Sequence, residues 1–276
     1  MGFINRVKER VNHLEDYAKY KDMTQVYGTA MEANVIRPKV YGLFAPDEVP
    51  PWDELSGRLP NLFVVRPTIY VNTNTYMHVR DDGDNGLFSF NSNKHEFPGD
   101  VIQAQIDAAQ KLGADILFEE FPLCGNELGI PIAYCMHTFG GEVGVACIQA
   151  ITPNDTLWFD VSKTQLGSTS KNDLTHLIPD ATVIQQLCDT AERISAAIAE
   201  PYMRIDLINT TKGPTLRSFA SVPGDVRSPQ FAWLYEQYDE YFNELWIEAK
   251  GRIIGNDTTA NTEPESDSTT TPDDNA

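Results

Sequence analysis

Two stretches of alternating residues constrain this chain most. Ala133-Tyr-Cys-Met-His-Thr-Phe139 and Glu142-Val-Gly-Val-Ala-Cys-Ile148 flank Gly140-Gly141, a dipeptide suited to the positive φ of a two-residue hairpin turn. A second pair, Tyr202 to Ile208 and Thr215 to Ala220, closes around Lys212-Gly213-Pro214. Between the two pairs, Pro179 to Glu200 carries Ile184, Leu187, Ala191, Ile194 and Ile198 at helical spacing. Consecutive hairpins pair their strands antiparallel, whereas parallel neighbours need a crossover of about a dozen residues or more. The order predicts an α+β fold with antiparallel sheets rather than a doubly wound one.

The rest of the chain fits that frame. Phe3 to Tyr20 reads as an amphipathic helix, Val35 to Phe44 as an extended segment broken by Pro38, and Pro46 to Pro60 as a Pro-rich connection. Leu62 to Val65 reads as a buried strand stopped by Pro67. Asp100 to Gly113 predicts a helix, with Asp100 as N-cap, Gln103 three residues on, and Gly113 past the end. Ile116 to Phe121 follows as a strand. The last helix, Pro229 to about Lys250, carries an aromatic stripe that reads as core, or as an interface if the fold leaves it uncovered. From Asn256 to Ala276 there is no base, aromatic or branched aliphatic residue, which predicts a disordered tail.

Composition excludes several functions. Forty acids against 21 Lys and Arg give a net charge of −19, and the tail's six acids leave −13 for the rest. Such a surface repels phosphate backbones and anionic lipid, so neither nucleic acid nor a membrane surface is expected to bind by bulk electrostatics. No run approaches the roughly 20 apolar residues of a membrane span, and the first ten residues lack a signal-peptide core. Cys124, Cys135, Cys147 and Cys188 have no short metal spacing and read as reduced thiols of a cytoplasmic protein.

Four places could carry chemistry. Arg66 ends a buried strand ahead of the polar segment Tyr70 to Tyr76; it reads as a phosphate clamp or as a solvated strand-end cation. Glu119-Glu120-Phe-Pro-Leu-Cys-Gly-Asn-Glu127 suits an edge where backbone groups and one carboxylate meet a polar ligand, or an ordinary strand exit. Arg204 and Asp206 share one face of an apolar strand, as an ion pair or as a carboxylate for Mg²⁺. Cys135 and His137 share a face of the first hairpin, packed or as a thiol site.

The order of these segments resembles the ATP-grasp superfamily, and within it the TupA-like branch associated with polysaccharide and peptide-conjugate biosynthesis. The resemblance runs through Lys21-Asp22, Pro38-Lys-Val-Tyr-Gly42, Leu59-Pro-Asn-Leu-Phe-Val-Val-Arg66 and Phe118-Glu-Glu-Phe121. It continues through Tyr134-Cys-Met-His-Thr-Phe-Gly-Gly-Glu-Val143, Arg204-Ile-Asp-Leu-Ile208 and Leu216-Arg-Ser-Phe-Ala-Ser-Val-Pro-Gly224. It implies an N-terminal helical and extended subdomain over 1–60, ATP-grasp subdomains over 61–125 and 126–254, and the tail over 255–276. ATP would lie between two antiparallel sheets. Glu120, Phe121 and Leu123 would form the hinge against the adenine, with Glu127 on the ribose. Arg66 and Arg204 would be the catalytic cations and Asp206 the Mg²⁺ ligand. The implied chemistry is activation of a carboxylate by ATP and attack by an amine, on a small-molecule, peptide or sugar-acid substrate. The resemblance departs at Arg66 and Cys135, where the branch carries Lys, at Ser218, where it carries an acid, and at Asn72 to Thr75, which replace a Gly-rich loop. These departures keep a second expectation open: a degenerate ATP-grasp fold that binds nucleotide or a partner without turnover.

Overall fold

The computed structural model describes residues 2–12, 20–69, 76–124, 131–149, 156–168, 170–171, 173–223 and 229–260. Helix α1 (Phe3–Asn12) opens the chain, and α2 (Met23–Glu32) starts at Asp22, whose carboxylate accepts from the Thr24 N–H. Strands β1 (Val40–Phe44) and β2 (Leu62–Pro67) bracket the short helix α3 (Trp52–Ser56). Then come β3 (Met77–Asp81), β4 (Leu87–Ser89), β5 (Lys94–Glu96), α4 (Pro98–Leu112) and β6 (Ile116–Glu120). The second half holds β7 (Ala133–Phe139), β8 (Glu142–Gln149), β9 (Thr156–Phe159), β10 (Gln165–Ser168), α5 (Ala181–Ile198), β11 (Met203–Thr210), β12 (Gly213–Ala220) and α6 (Pro229–Ala260).

The strands form two six-stranded sheets, ordered β1-β6-β2-β3-β4-β5 and β10-β9-β8-β7-β11-β12. Every pairing in both is antiparallel, as the hairpins predicted. Gly140 and Gly141 take φ of 57° and 94°, and a Cβ on Gly140 would come within 2.8 Å of Ala249, so the turn needs glycine for both conformation and contact with α6. Alternation gives each sheet two faces. In the first sheet, Phe63, Val65, Val79 and Phe118 pack on α3 and α4. In the second, Met136, Ile148, Ile205 and Leu207 pack on α2 and α5, while Val145, Phe139 and Trp158 face α1 and α6.

The predicted elements are present with corrections: a short helix lies within the expected Pro46 to Pro60 connection, and 256–260 of the expected tail continue the last helix. The helix expected from Asp100 begins at Pro98, with Phe97 in the N-cap position and Asp100 in the first turn; Gly113 caps it in the left-handed region. The last helix runs on to Ala260, ten residues past its expected end. Its stripe is covered: Tyr235, Phe242 and Trp246 pack on Phe3 and Tyr202. Residues 13–19 of the first predicted helix and 261–276 of the predicted tail lie outside the described residues. No helix among the described residues is long and apolar enough to cross a membrane. Helix α5 starts at Asp180, whose Oδ1 accepts from the Val183 N–H at 2.9 Å. Asp180→Ala is expected to cost about 1 kcal/mol in urea unfolding, the usual worth of such a cap; an unchanged midpoint would show the bond to be dispensable.

Candidate functional site

Two buried carboxylate–guanidinium pairs, one on each sheet, are brought near one another through Tyr76 and Arg217. The first grows from β2 and β6. Val64 and Arg66 point away from the helix-covered face, as does Glu119, and register sets Val64 opposite Glu119 with Arg66 on the diagonal. Arg66 is 1% exposed and Glu119 0%. Arg66 Nε lies 3.0 Å from Glu119 Oε1, and Nη2 donates to the Tyr27 hydroxyl at 2.9 Å and to Glu119 Oε2 at 3.3 Å. The Tyr27 hydroxyl donates to Glu119 Oε2. Burial, then the Glu119 charge, hold the Tyr27 phenol well above its usual range, which keeps that proton in place. Arg66 Nη1 is shielded from solvent and has no hydrogen-bond partner among the described residues.

The second pair lies on β11. Asp206 Oδ1 accepts from Arg204 Nε and Oδ2 from Arg204 Nη2, both at 2.8 Å, and Oδ2 accepts again from Ser218 Oγ at 2.9 Å. Burial pushes the Asp206 carboxyl upward, but Arg204 and then Arg217 outweigh it and hold it below its ordinary value. Arg217 occupies a β-bulge: Asp206 pairs with Ser218 and Leu207 with Leu216, so Arg217 is the extra residue on β12. The bulge turns Arg217 toward the first sheet, where its Cζ sits 5.3 Å from the Tyr76 ring. Arg66 Cζ lies 4.9 Å from the same ring. His78 stands edge-on to Tyr76 and Phe121 at 4.7 and 5.3 Å, and burial, Arg217 and Arg66 push its imidazole down to about 3. It is therefore neutral, and its Nε2 has no hydrogen-bond partner among the described residues. Among the described residues, Arg66, Arg204 and Arg217 are thus gathered with Glu119 and Asp206.

The other predicted positions are distributed around these pairs. Phe121 lies on the Glu119 face and packs on Val64 and Tyr76. Glu120 points the other way, paired with Lys212 and accepting from the Lys39 N–H at 3.3 Å. Leu123 is exposed, and its carbonyl accepts from the Thr211 N–H at 3.0 Å. A small, open cleft runs along this segment, lined by Glu120 to Leu123, by the Thr210 to Lys212 turn, and by Ile36 and Pro38; neither Arg66 nor Asp206 lines it. Glu127 and the Asn72 to Thr75 segment lie outside the described residues.

Cys135 and His137 are packed. His137 Nδ1 meets the Tyr202 hydroxyl at 2.7 Å, its Nε2 lies 3.8 Å from Cys147 Sγ, and burial and Arg204 push it down to about 3. A hydrogen bond with Cys147 and burial hold the Cys135 thiol well above its usual range, far from a nucleophilic thiolate.

Whether these residues suit Mg²⁺ can be tested on the donors. Mg²⁺ asks for carboxylate oxygens with open lone pairs in near-octahedral array. Asp206 is 3% exposed, and each of its oxygens already accepts from Arg204. Among the described residues no three His, Cys, Asp or Glu side chains converge to hold a metal. The described residues do not fit a Mg²⁺ site.

Two six-stranded antiparallel sheets with flanking helices make an ATP-grasp-like fold. The chain shares its fold with a D-alanine–D-alanine ligase from Bacillus anthracis solved with ATP, at 13% identity and TM-score 0.53, over 86% of this chain and 67% of that one. It matches a D-alanine–D-alanine ligase from Coxiella burnetii at 9% identity and TM-score 0.54, over 87% of this chain and 60% of the other. A D-Ala:D-Ser ligase from Enterococcus faecalis gives 14% identity and TM-score 0.52, over 84% and 61%. The chain thus spans about 60 to 67% of the length of these ligases. No protein-family model and no curated protein sequence matches it.

Sequence reasoning named Arg66, Arg204, Asp206 and the Glu120 to Leu123 segment, and Arg217 as a residue that could converge on Asp206, as it does; it missed Glu119 as a partner, Tyr27, Tyr76 and His78. For Glu119 a signal was present: in Ile116-Leu-Phe-Glu-Glu-Phe121, alternation puts it on the face of Leu117 and Phe121. The others meet Arg66 only through the tertiary fold.

Proposed function

We propose that the space between the sheets binds an adenine nucleotide in the ATP-grasp manner, with protein cations rather than a metal meeting the phosphates, and without turnover. The observation that carries this reading is Arg66 Nη1, a buried charged donor with no hydrogen-bond partner among the described residues, beside the neutral His78 and the bulged Arg217. A buried guanidinium donor gains most from an anionic acceptor. Arg66 and Arg217 would meet phosphate oxygens, and Arg204 would keep Asp206 neutralised. Phe121 and Leu123 would line the base; with the Leu123 carbonyl taken by Thr211, Leu123 would meet it through its N–H. Glu120 would tie the hinge to the Thr210 to Lys212 turn, and Glu127 would reach the ribose.

A second reading is ATP-dependent joining of a carboxylate to an amine, on a small-molecule, peptide or sugar-acid substrate. It is supported by the fold shared with the D-alanine–D-alanine ligases and by the ordered TupA-like motifs. The Arg204–Asp206 pair weighs against it.

Calorimetry with ATP in EDTA and in excess Mg²⁺ separates the two. Binding of similar strength in both conditions, weakened at least about tenfold by Arg66→Ala, is the expected result, the loss of one charge-assisted contact. Binding only with Mg²⁺, together with ADP release in the presence of acid and amine mixtures, would establish the ligase reading instead.

A further inference from the structure

We infer that Tyr27 is a positioning residue for Arg66, holding its guanidinium so that Nη1 is presented to a phosphate; this rests on the nucleotide reading above. Glu119 alone does not fix the guanidinium. Arg66 Nε lies 3.0 Å from Glu119 Oε1, but Nη2 stands 3.3 Å from Oε2, the long arm of the pair. The Tyr27 hydroxyl fills that gap: it accepts from Nη2 at 2.9 Å and donates to Glu119 Oε2. A phenol can do both at once, which a Phe ring cannot. Nε and Nη2 thereby face the Glu119–Tyr27 side, and the planar fork turns Nη1 away from it. Nη1 has no hydrogen-bond partner among the described residues and is the donor assigned to the ligand.

Tyr27 reaches Arg66 from a helix that both sheets hold. The Met23 N–H donates to the Thr68 carbonyl at 2.8 Å, two residues beyond Arg66, and Asp22 bridges to Ile69. Met23, Val26, Tyr27 and Ala30 then pack in the core that the second sheet shares with α5. The Tyr27 side chain is buried, and Arg37 Cζ lies 5.5 Å from its ring. The phenol therefore has little freedom to follow Arg66 if the guanidinium turns. Without the hydroxyl, Nη2 is expected to close on Glu119 Oε2, and Nη1 turns with the rigid plane. A misaimed donor then loses its bond to the anion while the charge stays in place.

The experiment is calorimetry on the full chain and on Tyr27→Phe, Arg66→Ala and the double variant, with ATP and with inorganic triphosphate as probes. Tyr27→Phe is expected to bind both probes at least about fivefold more weakly, since the loss falls on the phosphate contact. The double variant is expected to bind no more weakly than Arg66→Ala, because residues that act through one another do not add. Tyr27→Phe binding both probes as the parent does would overturn the inference, whatever its effect on stability. So would losses that multiply in the double variant, or a loss confined to ATP, which would place Tyr27 at the base. If the parent binds neither probe, the nucleotide reading itself falls, and this inference with it. Should an Arg66→Ala protein not fold, Arg66→Gln, which keeps a donor for Glu119, replaces it in the cycle with the same outcomes.

Discussion

Asp206→Ala is expected to destabilise the protein by about 3–5 kcal/mol in urea unfolding, because Arg204 is left in the interior without its counter-charge. The bidentate geometry and the third bond from Ser218 make this a structural ion pair in the form described. A carboxylate held in readiness for a metal behaves oppositely: it is repelled by like neighbours or left unpaired, and its removal relieves strain. An unchanged or raised unfolding midpoint would therefore return Asp206 to the metal-ligand role and strengthen the ligase reading. Removing both charges, as Arg204→Met with Asp206→Leu, is expected to recover most of the loss. The pH dependence has a fixed sign. The folded carboxyl titrates below its ordinary value, so its contribution is complete above about pH 4, where the unfolded group is ionised, and disappears as pH falls through the folded pKa. Acid unfolding of the double variant should be shallower than that of the parent.

Glu119→Ala is expected to cost a similar amount, about 3–5 kcal/mol, since it strands Arg66 at 1% exposure and removes the acceptor of the Tyr27 hydroxyl. The loss should be read from chemical denaturation with Tyr27→Phe beside it. Tyr27→Phe is expected to cost about 1–2 kcal/mol, the range for one buried hydrogen bond and the unmet acceptor it leaves. If Glu119→Ala falls within the cost of Tyr27→Phe, the ion pair contributes nothing beyond the phenol, and Arg66 is held by the cation–π contact with Tyr76 instead.

The elements that could be read from the sequence are those whose local pattern and tertiary role agree. The β7–β8 hairpin carries alternation and a Gly-Gly turn, and α5 carries an Asp cap and a clear apolar face, so nothing distant had to be known. Strands β3, β4 and β5 were not foreseen: they span five, three and three residues in the polar, Asp-rich segment 77–96. Val79, Leu87 and Ser89 are buried, but at most two such positions per strand are too few to show a period. Each strand is placed by pairing with its neighbour in turn, β3 with β2, β4 with β3 and β5 with β4. Helix α2 was overlooked for a related reason, since its ten residues mix Met, Val and Tyr with Thr and Gly. In the site, Arg204 and Asp206 were legible as same-face neighbours two residues apart. Arg217 was legible only as a nearby base that could converge on Asp206; that it does so depends on a bulge that the β11–β12 register reveals.

Helices α1 and α6 clasp one another over the aromatic face of the second sheet, and Asp239 Oδ1 accepts from the Ile4 N–H at 2.7 Å across 235 residues. During synthesis that clasp has a timetable. At about 5–20 residues per second, Phe3 waits roughly 10 to 50 s before Phe242 and Trp246 leave the ribosome. Through that interval Phe139, Trp158 and Tyr202 are made without their cover, on strands already able to pair. The nascent chain thus presents a transient apolar plane to its surroundings, and its yield in the cell should depend on holdase chaperones more than its final stability would suggest.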